Sequence, residues 1–355
     1  MNELLEERLR PYFEPLAKKV QSAAISIAWC RGDDTRTSLL TNSAGLLPHH
    51  ITTDSQFLVY SITKSFTALT ILRFAATGKL RLDAPISQWL PDVPHAERIT
   101  IRQCLQHTSG LADYGSLPEY HAAVRQGRPP WTFEEFLVRV NAEQLLFEPG
   151  CGWAYSNIGY MILLRLIEVI SGVTYADSVD REICHPLGLI RTSVIAGRSE
   201  LRDLTIGYSV LVSSDGSPVD VRARYDPNWV ATGVIASTAS EIACFYHSLF
   251  KGTILTADRL REMCAVVQAR PSHPRFVTLC YGLGLIADPD SPYGPIYGHG
   301  GEGPGYSASA IHFGETGPQA LTVTLLSNTE NHAALESMTL AAGEALMKQR
   351  DAFHN

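Results

Sequence analysis

Residues 306–326 read YSASAIHFGETGPQALTVTLL, and this stretch decides the fold class. It holds two strand-like runs, at 306–313 and 321–326, around a turn rich in glycine and proline. In the second run leucine and valine alternate with threonine, as in a strand with two different faces. Two strands joined by so short a connection must be antiparallel. The end of the chain therefore predicts an antiparallel sheet.

Helical patterns lie on both sides of this sheet in the sequence. Residues 3–20 carry apolar residues at helical spacing, although Pro11 and Pro15 predict a kinked or broken helix. Residues 24–30 read as a strand, and residues 332–348 read as a final helix. We therefore expect an α+β fold in which N- and C-terminal helices flank an antiparallel β-sheet.

A mostly helical lobe is predicted in the middle of the chain. Its clearest element is an apolar helix at 157–171, which Gly172 is placed to end. We expect residues 1–84 and 195–355 to form the sheet lobe and residues 85–194 to form the inserted helical lobe. The active site is expected between the two lobes.

The composition is that of an ordinary globular protein. Of the 355 residues, 45% are hydrophobic and 18% are charged, which excludes a disordered chain. The 29 basic and 36 acidic residues give a net charge of −7 without any basic run, so no nucleic-acid partner is expected. The most apolar helical run is too short and too charged to span a bilayer, so no membrane association is expected.

The N-terminal residues and the cysteines indicate a reducing compartment. Glu3, Glu6 and Glu7 stand where a secretory signal would carry positive charge, so we predict no signal peptide. The seven cysteines are scattered and contain no CxxC pair, and they read as free thiols. A cytoplasmic protein is expected, and its oligomeric state is left open.

The first candidate for chemistry is the tetrapeptide SITK at 61–64. Ser61 opens a predicted helix, whose free N–H groups favour a developing anion, and the i, i+3 spacing brings Lys64 within reach of its hydroxyl. A buried amine with a depressed pKa can serve as a base. Ser248 and Lys251 repeat the spacing at the end of a helix, where the dipole disfavours an anion, so the first pair is preferred. The alternative is a plain helix cap beside an ordinary lysine.

Two further groups could complete such a site. Tyr155 could relay a proton, and Asn157 could donate a hydrogen bond to a substrate amide or ester oxygen. Taken singly, they could equally be a core tyrosine and a helix cap. The run HGGE at 299–302 contains adjacent glycines that allow close backbone approach, and an N–H there could form half of an oxyanion hole. The alternative for this run is a glycine-rich turn with an exposed His299.

Other kinds of enzyme find little support in the sequence. It contains no G-x-S-x-G elbow, no H-E-x-x-H and no Walker loop. A literal G-x-G-x-x-G at 298–303 is followed by a strand pattern instead of a helix, so it does not predict a dinucleotide site. We therefore expect no cofactor and no metal.

In their order and spacing these motifs resemble the serine β-lactamase-like superfamily, especially its class C β-lactamase, esterase and D-aminopeptidase branch. The resemblance covers nearly the whole chain. It is carried by SITKSFTALTILRFAATGKLRLDAPISQWL at 61–90, ITIRQCLQHTSGL at 99–111, FEPGCGWAYSNIGY at 147–160, PLGL at 186–189, ATGVIASTA at 231–239 and GHGGEGPGYS at 298–307.

The resemblance implies a role for each candidate residue. Ser61 would be acylated, while Lys64 and Tyr155 would share the work of the general base. Asn157 would donate to the substrate amide, and the backbone N–H groups of Ser61 and Glu302 would form the oxyanion hole. The third motif, with His299, Gly300 and Gly301, would contact the substrate.

One departure bears on the substrate. Typical β-lactamases of this branch have Lys-Thr-Gly where this chain has His-Gly-Gly, so the permanent cation that suits a substrate carboxylate is missing. The preferred function is a serine hydrolase that forms an acyl-enzyme on small esters or amides. A β-lactamase or D-amino-acid peptidase is the second hypothesis, and a non-catalytic binding protein of the same fold is the third.

Overall fold

The computed structural model describes residues 2–20, 23–41, 51–270, 272–314 and 320–351. The strands in these ranges are β1 (Ala24–Arg31), β2 (Asp34–Thr41), β3 (Phe57–Leu58), β4 (Ser193–Val194), β5 (Tyr208–Ser209), β6 (Val219–Asp220), β7 (Ile235–Ser237), β8 (Val267–Gln268), β9 (Cys280–Tyr281), β10 (Ile286–Asp288), β11 (Ile296–Gly303), β12 (Tyr306–Phe313) and β13 (Leu321–Ser327). The helices are α1 (Asn2–Lys19), α2 (Thr63–Ala76), α3 (Ile101–Leu105), α4 (Pro118–Arg125), α5 (Phe133–Arg139), α6 (Asn157–Ser171), α7 (Tyr175–Val179), α8 (His185–Leu187), α9 (Ala239–Phe250), α10 (Ala257–Met263) and α11 (His332–Asp351).

The main sheet has eight strands in the order β2-β1-β13-β12-β11-β10-β9-β8, and its neighbouring strands pair antiparallel. The two strands that the sequence predicts at 306–313 and 321–326 are confirmed as neighbours, with Phe313 opposite Leu321. Most of the turn predicted between them, at 315–319, lies outside the described residues.

Helices cover both faces of this sheet. On β1, Ile25, Ile27 and Trp29 face the core formed with α1 and α11, whereas Ala28 and Cys30 face the larger core on the other side. The helix α9 packs against β1 and β13 on that second side, and α1 packs on α11 across the first. The predicted α+β fold, with terminal helices on an antiparallel sheet, is confirmed.

A kink or a break is predicted in the first helix, and the break is wrong. The helix α1 runs without interruption past Pro11 and Pro15. Leu5, Leu9 and Phe13 are almost fully buried on it. Pro11 and Pro15 lack the backbone N–H groups that would donate helix hydrogen bonds. Burial of the apolar stripe against the sheet and α11 stabilises the helix by more than this loss costs, because most helix stability in proteins comes from tertiary packing.

The helix predicted from Ser61 begins slightly later than expected. A 3₁₀ turn covers Tyr60–Ile62, and the helix α2 follows it directly. Nearly every residue of α2 is buried, so this helix runs through the middle of the molecule. Gly78 has a φ of 76° and follows the end of the helix, as its position predicts.

Helices α3 to α8 fall within the stretch at 85–194. Among them, α6 is capped by the hydroxyl of Ser156, which accepts the N–H of Gly159, and the left-handed Gly172 ends it. In the described ranges no single helix is long and apolar enough to cross a membrane. One pair of helices, Asn157–Ser171 with Tyr175–Leu187, passes that test together but is bent by 79°.

Candidate active site

Ser61 lies in a strained turn at the start of the central helix. The preceding residue, Tyr60, has a φ of 44°, a conformation that costs a non-glycine residue about 1–3 kcal/mol. The Tyr60 hydroxyl donates a 2.6 Å hydrogen bond to the carbonyl oxygen of Pro304, just beyond β11. This bond fastens the turn to the end of β11 and thereby fixes the position of Ser61.

Lys64 is the buried partner that the spacing predicts. Its Nζ lies 3.1 Å from Ser61 Oγ and donates a 2.7 Å hydrogen bond to Asn157 Oδ1. The rings of Tyr155 and Tyr160 lie 5.0 and 5.4 Å from it. Burial lowers the pKa of Lys64 to about 7, against the opposing attraction of the Asp113 carboxylate. Much of Lys64 is therefore neutral near pH 7 and able to accept a proton.

Tyr155 completes the contacts around Ser61. Its hydroxyl donates a 2.9 Å hydrogen bond to Ser61 Oγ. Burial raises the pKa of this phenol, and the hydrogen bond to Ser61 only partly offsets that effect. Tyr155 is thus protonated at neutral pH, which suits a group that passes a proton on and leaves the task of first base to Lys64.

Asp113 is a residue of the site that the sequence reasoning missed. Its Oδ1 accepts a 2.9 Å hydrogen bond from the backbone N–H of Asn157 at the start of α6. Burial raises the pKa of Asp113, although hydrogen bonds from Asn157 and the charge of Lys64 oppose the shift. A carboxylate beside a helix N-terminus is a recognisable arrangement, but nothing in the sequence places residue 113 against residue 157.

Asn157 lies at the site, but its side-chain amide contacts Lys64, a contact that the sequence analysis did not predict. Its side-chain oxygen accepts from Lys64, and its backbone N–H is taken by Asp113. The side chain still lines the cavity in front of Ser61. Its amide group therefore positions Lys64 and also borders the cavity.

The two glycines of the third motif are required by close contacts on β11. A Cβ on Gly301 would lie 2.2 Å from the carbonyl oxygen of Val59 and 2.9 Å from the nitrogen of Ser61, and one on Gly300 would overlap the His332 ring. The strand therefore packs directly on the nucleophile turn, as the predicted oxyanion hole at Ser61 and Glu302 demands. The Glu302 carboxylate accepts the N–H of His332, which begins α11.

His299 does not lie where the sequence reasoning expected it. Its ring is buried within the molecule and is not part of the wall of the cavity in front of Ser61. One ring nitrogen lies 2.9 Å from the Tyr281 hydroxyl and the other 2.6 Å from the Gly300 carbonyl oxygen. Burial and the nearby Lys64 lower the pKa of His299 to about 3. A neutral ring whose polar atoms already have partners is a poor contact for substrate.

His107 packs against Tyr155. Its Nδ1 accepts a 3.1 Å hydrogen bond from the N–H of Ser156, and its ring centre lies 4.3 Å from that of Tyr155. Burial, reinforced by Lys64 and His299, holds the pKa of His107 well below its usual range. This neutral ring supports Tyr155 without adding charge to the site.

A cavity of about 300 Å³ opens in front of Ser61. Its wall is largely aromatic and aliphatic, formed by Tyr60, Tyr114, Tyr120, Val124, Leu211, Tyr225 and Val230. Arg125 and His121 are exposed members of the same wall. Tyr114 lines this cavity, whereas Trp229 and Tyr306 are buried in the core.

The second serine–lysine pair lies outside this arrangement. Ser248 is in the last turn of α9, and the Lys251 ammonium forms a 2.7 Å ion pair with Asp33. The Lys251 ammonium is therefore engaged by a surface carboxylate. The preference for the first pair over the second therefore agrees with the geometry.

Comparison with known proteins gives a consistent picture. The family model described as Beta-lactamase matches residues 12–346. Penicillin-binding protein 4* of Bacillus subtilis is 28% identical over 98% of this chain and 77% of its own length. Esterase EstB of Burkholderia gladioli is 32% identical over 48% of this chain and 45% of its own length. The crystal structure of a D-amino acid amidase from Ochrobactrum anthropi SV3 superposes with a TM-score of 0.79, at 26% identity, over 98% of this chain and 99% of that one.

Proposed function

The chain belongs to the beta-lactamase family and is a serine hydrolase of that fold, and from this premise we propose that it hydrolyses small, uncharged esters and amides through an acyl-enzyme on Ser61. The observation that carries the proposal is the position of Ser61 Oγ, which lies 3.1 Å from Lys64 Nζ and 2.9 Å from the Tyr155 hydroxyl. A nucleophile with a base and a proton relay within hydrogen-bond reach is the arrangement that acyl transfer needs.

Acylation begins with proton transfer from Ser61 to the neutral amine of Lys64. The freed Oγ attacks the substrate carbonyl carbon, and the carbonyl oxygen becomes an oxyanion that faces the backbone N–H groups of Ser61 and Glu302. Tyr155 passes its proton to the leaving alcohol or amine and recovers one from Lys64. The carbon–oxygen or carbon–nitrogen bond breaks, and the acyl group stays on Ser61.

Deacylation uses the same groups in reverse. Water gives a proton to the base formed by Lys64 and Tyr155 and attacks the ester carbonyl on Ser61. The second tetrahedral intermediate collapses, Ser61 Oγ regains a proton, and the carboxylic acid leaves. No group beyond those at Ser61, Lys64, Tyr155 and β11 is needed for either half of the cycle.

The cavity supports an uncharged acyl group. Its wall is formed mostly by tyrosine, valine and leucine side chains, which favour apolar or aromatic groups. The His299 ring, in the place of the usual lysine, is neutral and buried, so this motif supplies no cation for a substrate carboxylate. The match to an esterase supports the same substrate class.

A second candidate function is the hydrolysis of D-amino acid amides or β-lactams. It is favoured by the near full-length match to a D-amino acid amidase and by the match to a penicillin-binding protein. The two candidates differ in the substrate and share the acyl-enzyme. The intact set of Ser61, Lys64 and Tyr155 argues against a non-catalytic protein.

A substrate panel distinguishes these candidates. We would compare kcat/KM for a p-nitrophenyl ester of a short acid, the two enantiomers of phenylalanine amide and a chromogenic cephalosporin, with Ser61→Ala as the blank. The proposal expects the ester to exceed the cephalosporin by at least about 100-fold, the effect of one missing charged contact. Equal efficiency on ester and cephalosporin, or a marked preference for the D-amide, would replace the proposal with the second candidate.

A further inference from the structure

Two cysteines far apart in sequence meet between the sheet and the helix α9. Cys30 lies on the face of β1 that points to α9, and its Sγ is 3.9 Å from Sγ of Cys244. Thr35 on β2 joins them, with its Oγ1 3.2 Å from Cys30 Sγ and 3.8 Å from Cys244 Sγ. The three side chains form a small polar cluster that the proposed hydrolysis does not use.

An ion pair and strand pairing hold the backbone on the two sides of the cluster. Lys251, near the end of α9, forms a 2.7 Å ion pair with Asp33 in the turn between β1 and β2. Cys30 itself lies near the end of β1, a strand that pairs with β2 and β13. A disulfide requires the two sulfur atoms to approach from 3.9 Å to about 2.05 Å, which rotation about the side-chain bonds can supply if the backbone is already close.

The two thiols differ in exposure and in acidity. Cys244 is half-buried, whereas Cys30 is 2% exposed. The hydrogen bond from Cys30 lowers the pKa of Cys244 to about 6, with help from Thr35 and against burial and the charge of Glu241. The same contact, together with burial and the charge of Asp34, raises the pKa of Cys30. Cys244 is thus the more exposed and more acidic thiol, and Cys30 lies buried behind it.

We propose that Cys244 and Cys30 are a modification site at which small-molecule disulfides, such as glutathione disulfide, form an intramolecular disulfide. The Cys244 thiolate attacks one sulfur of the small disulfide, a mixed disulfide forms, and the other half leaves as a thiolate that takes up a proton. Cys30 then loses its proton and attacks Cys244 Sγ, and the second half leaves as a thiol. Two protein thiols are oxidised, and one small disulfide is reduced to two thiols.

The other cysteines provide an internal comparison. Burial raises the pKa values of Cys104, Cys184 and Cys264, which makes them poor nucleophiles. Cys151 is exposed and serves as the matched control for simple accessibility. If exposure alone decided reactivity, Cys151 would react first and no cross-link would form.

The test is peptide mapping of the full-length protein after equilibration with mixtures of reduced and oxidised glutathione. We expect a linked peptide pair containing Cys30 and Cys244 whose yield rises with the oxidised fraction, together with a higher Tm that a dithiol reductant reverses.

Three variants separate the roles of the cysteines. Cys30→Ser should trap glutathione on Cys244, Cys244→Ser should leave Cys30 unmodified, and Cys151→Ser should keep the cross-link. Failure to find the linked pair at any ratio, or modification of Cys30 in Cys244→Ser, would overturn the proposal. The readout does not depend on hydrolysis, so it stands apart from the proposed function.

Discussion

Lys64 Nζ lies 3.1 Å from Oγ of Ser61. The amine is buried, and its pKa is lowered to about 7, so it can take the serine proton under ordinary conditions. Tyr155 reaches the same oxygen, but burial raises the pKa of its phenol. In the proposed mechanism, this difference gives the first proton transfer to Lys64 and the relay to the leaving group to Tyr155. Each assignment leads to measurable consequences.

The first prediction concerns cooperation between the two proton-handling groups. Lys64→Ala and Tyr155→Phe should each lower kcat by roughly 10²–10⁴-fold, because each interrupts the same proton path. The double variant should lose little more than the worse single variant, since residues that act as a unit give non-additive effects. Steady-state kinetics on a p-nitrophenyl ester provide the measurement. Losses that multiply fully in the double variant would contradict a shared path.

The second prediction concerns pH. Lys64 must be neutral to act as a base, so kcat/KM should fall as the pH drops through about 7 and level off above it. The titratable groups around the amine are Asp113, the neutral rings of His107 and His299, and the phenols of Tyr155 and Tyr160.

Asp113→Asn provides the sharper form of that test. Among these groups Asp113 raises the pKa of Lys64, so its replacement should lower that pKa further and move the acid limb to lower pH. Asp258→Asn removes a carboxylate at the surface of α10 and should leave the profile in place. An acid limb that stays unchanged in Asp113→Asn would show that Lys64 is not the titrating base.

The third prediction concerns the oxyanion hole. Gly301→Ala should lower kcat by about 10²–10³-fold, the loss expected when one oxyanion donor is displaced, because the new methyl group would push β11 away from Val59 and Ser61. Gly197→Ala is the control, because a Cβ there meets open space. Circular dichroism checks that both variants fold. A Gly301→Ala variant with parental kcat would remove β11 from the mechanism.

The fourth prediction concerns His299. His299→Lys would place an ammonium in a buried site next to Tyr281 and close to Lys64, so it should lower the free energy of unfolding by roughly 2 kcal/mol or more. The exposed His185→Lys should leave stability unchanged. Denaturant unfolding measures both. A His299→Lys variant as stable as its parent would mean that this position opens to solvent.

Local patterns made much of the fold and the nucleophile predictable. The spacing of Ser61 and Lys64 is set within a single helical turn, and the helix predicted at 157–171 is observed as α6, with Gly172 at its end. The alternation along β13 predicts a strand without reference to the rest of the chain. These signals involve residues a few positions apart, where backbone geometry alone decides the outcome.

Contacts between segments that are distant in the sequence could not be predicted from local patterns. The bond between Asp113 and Asn157 joins a loop to a helix 44 residues later. The burial of His299 could not be predicted, because the glycines beside it on β11 leave no alternation of apolar and polar residues. In α1, the burial of Leu9 and Phe13 overrides the local effect of two prolines. Each depends on packing that only the folded chain provides.

The most direct test of the central claim is to label the protein with a fluorophosphonate probe and to identify the modified residue by peptide mapping. We expect a single adduct on Ser61, no adduct in Ser61→Ala, and unchanged labelling in Ser248→Ala. The label reports the activated serine itself and does not depend on the choice of substrate. An adduct on Ser248, or full labelling of Ser61→Ala, would show that Ser61 is not the nucleophile.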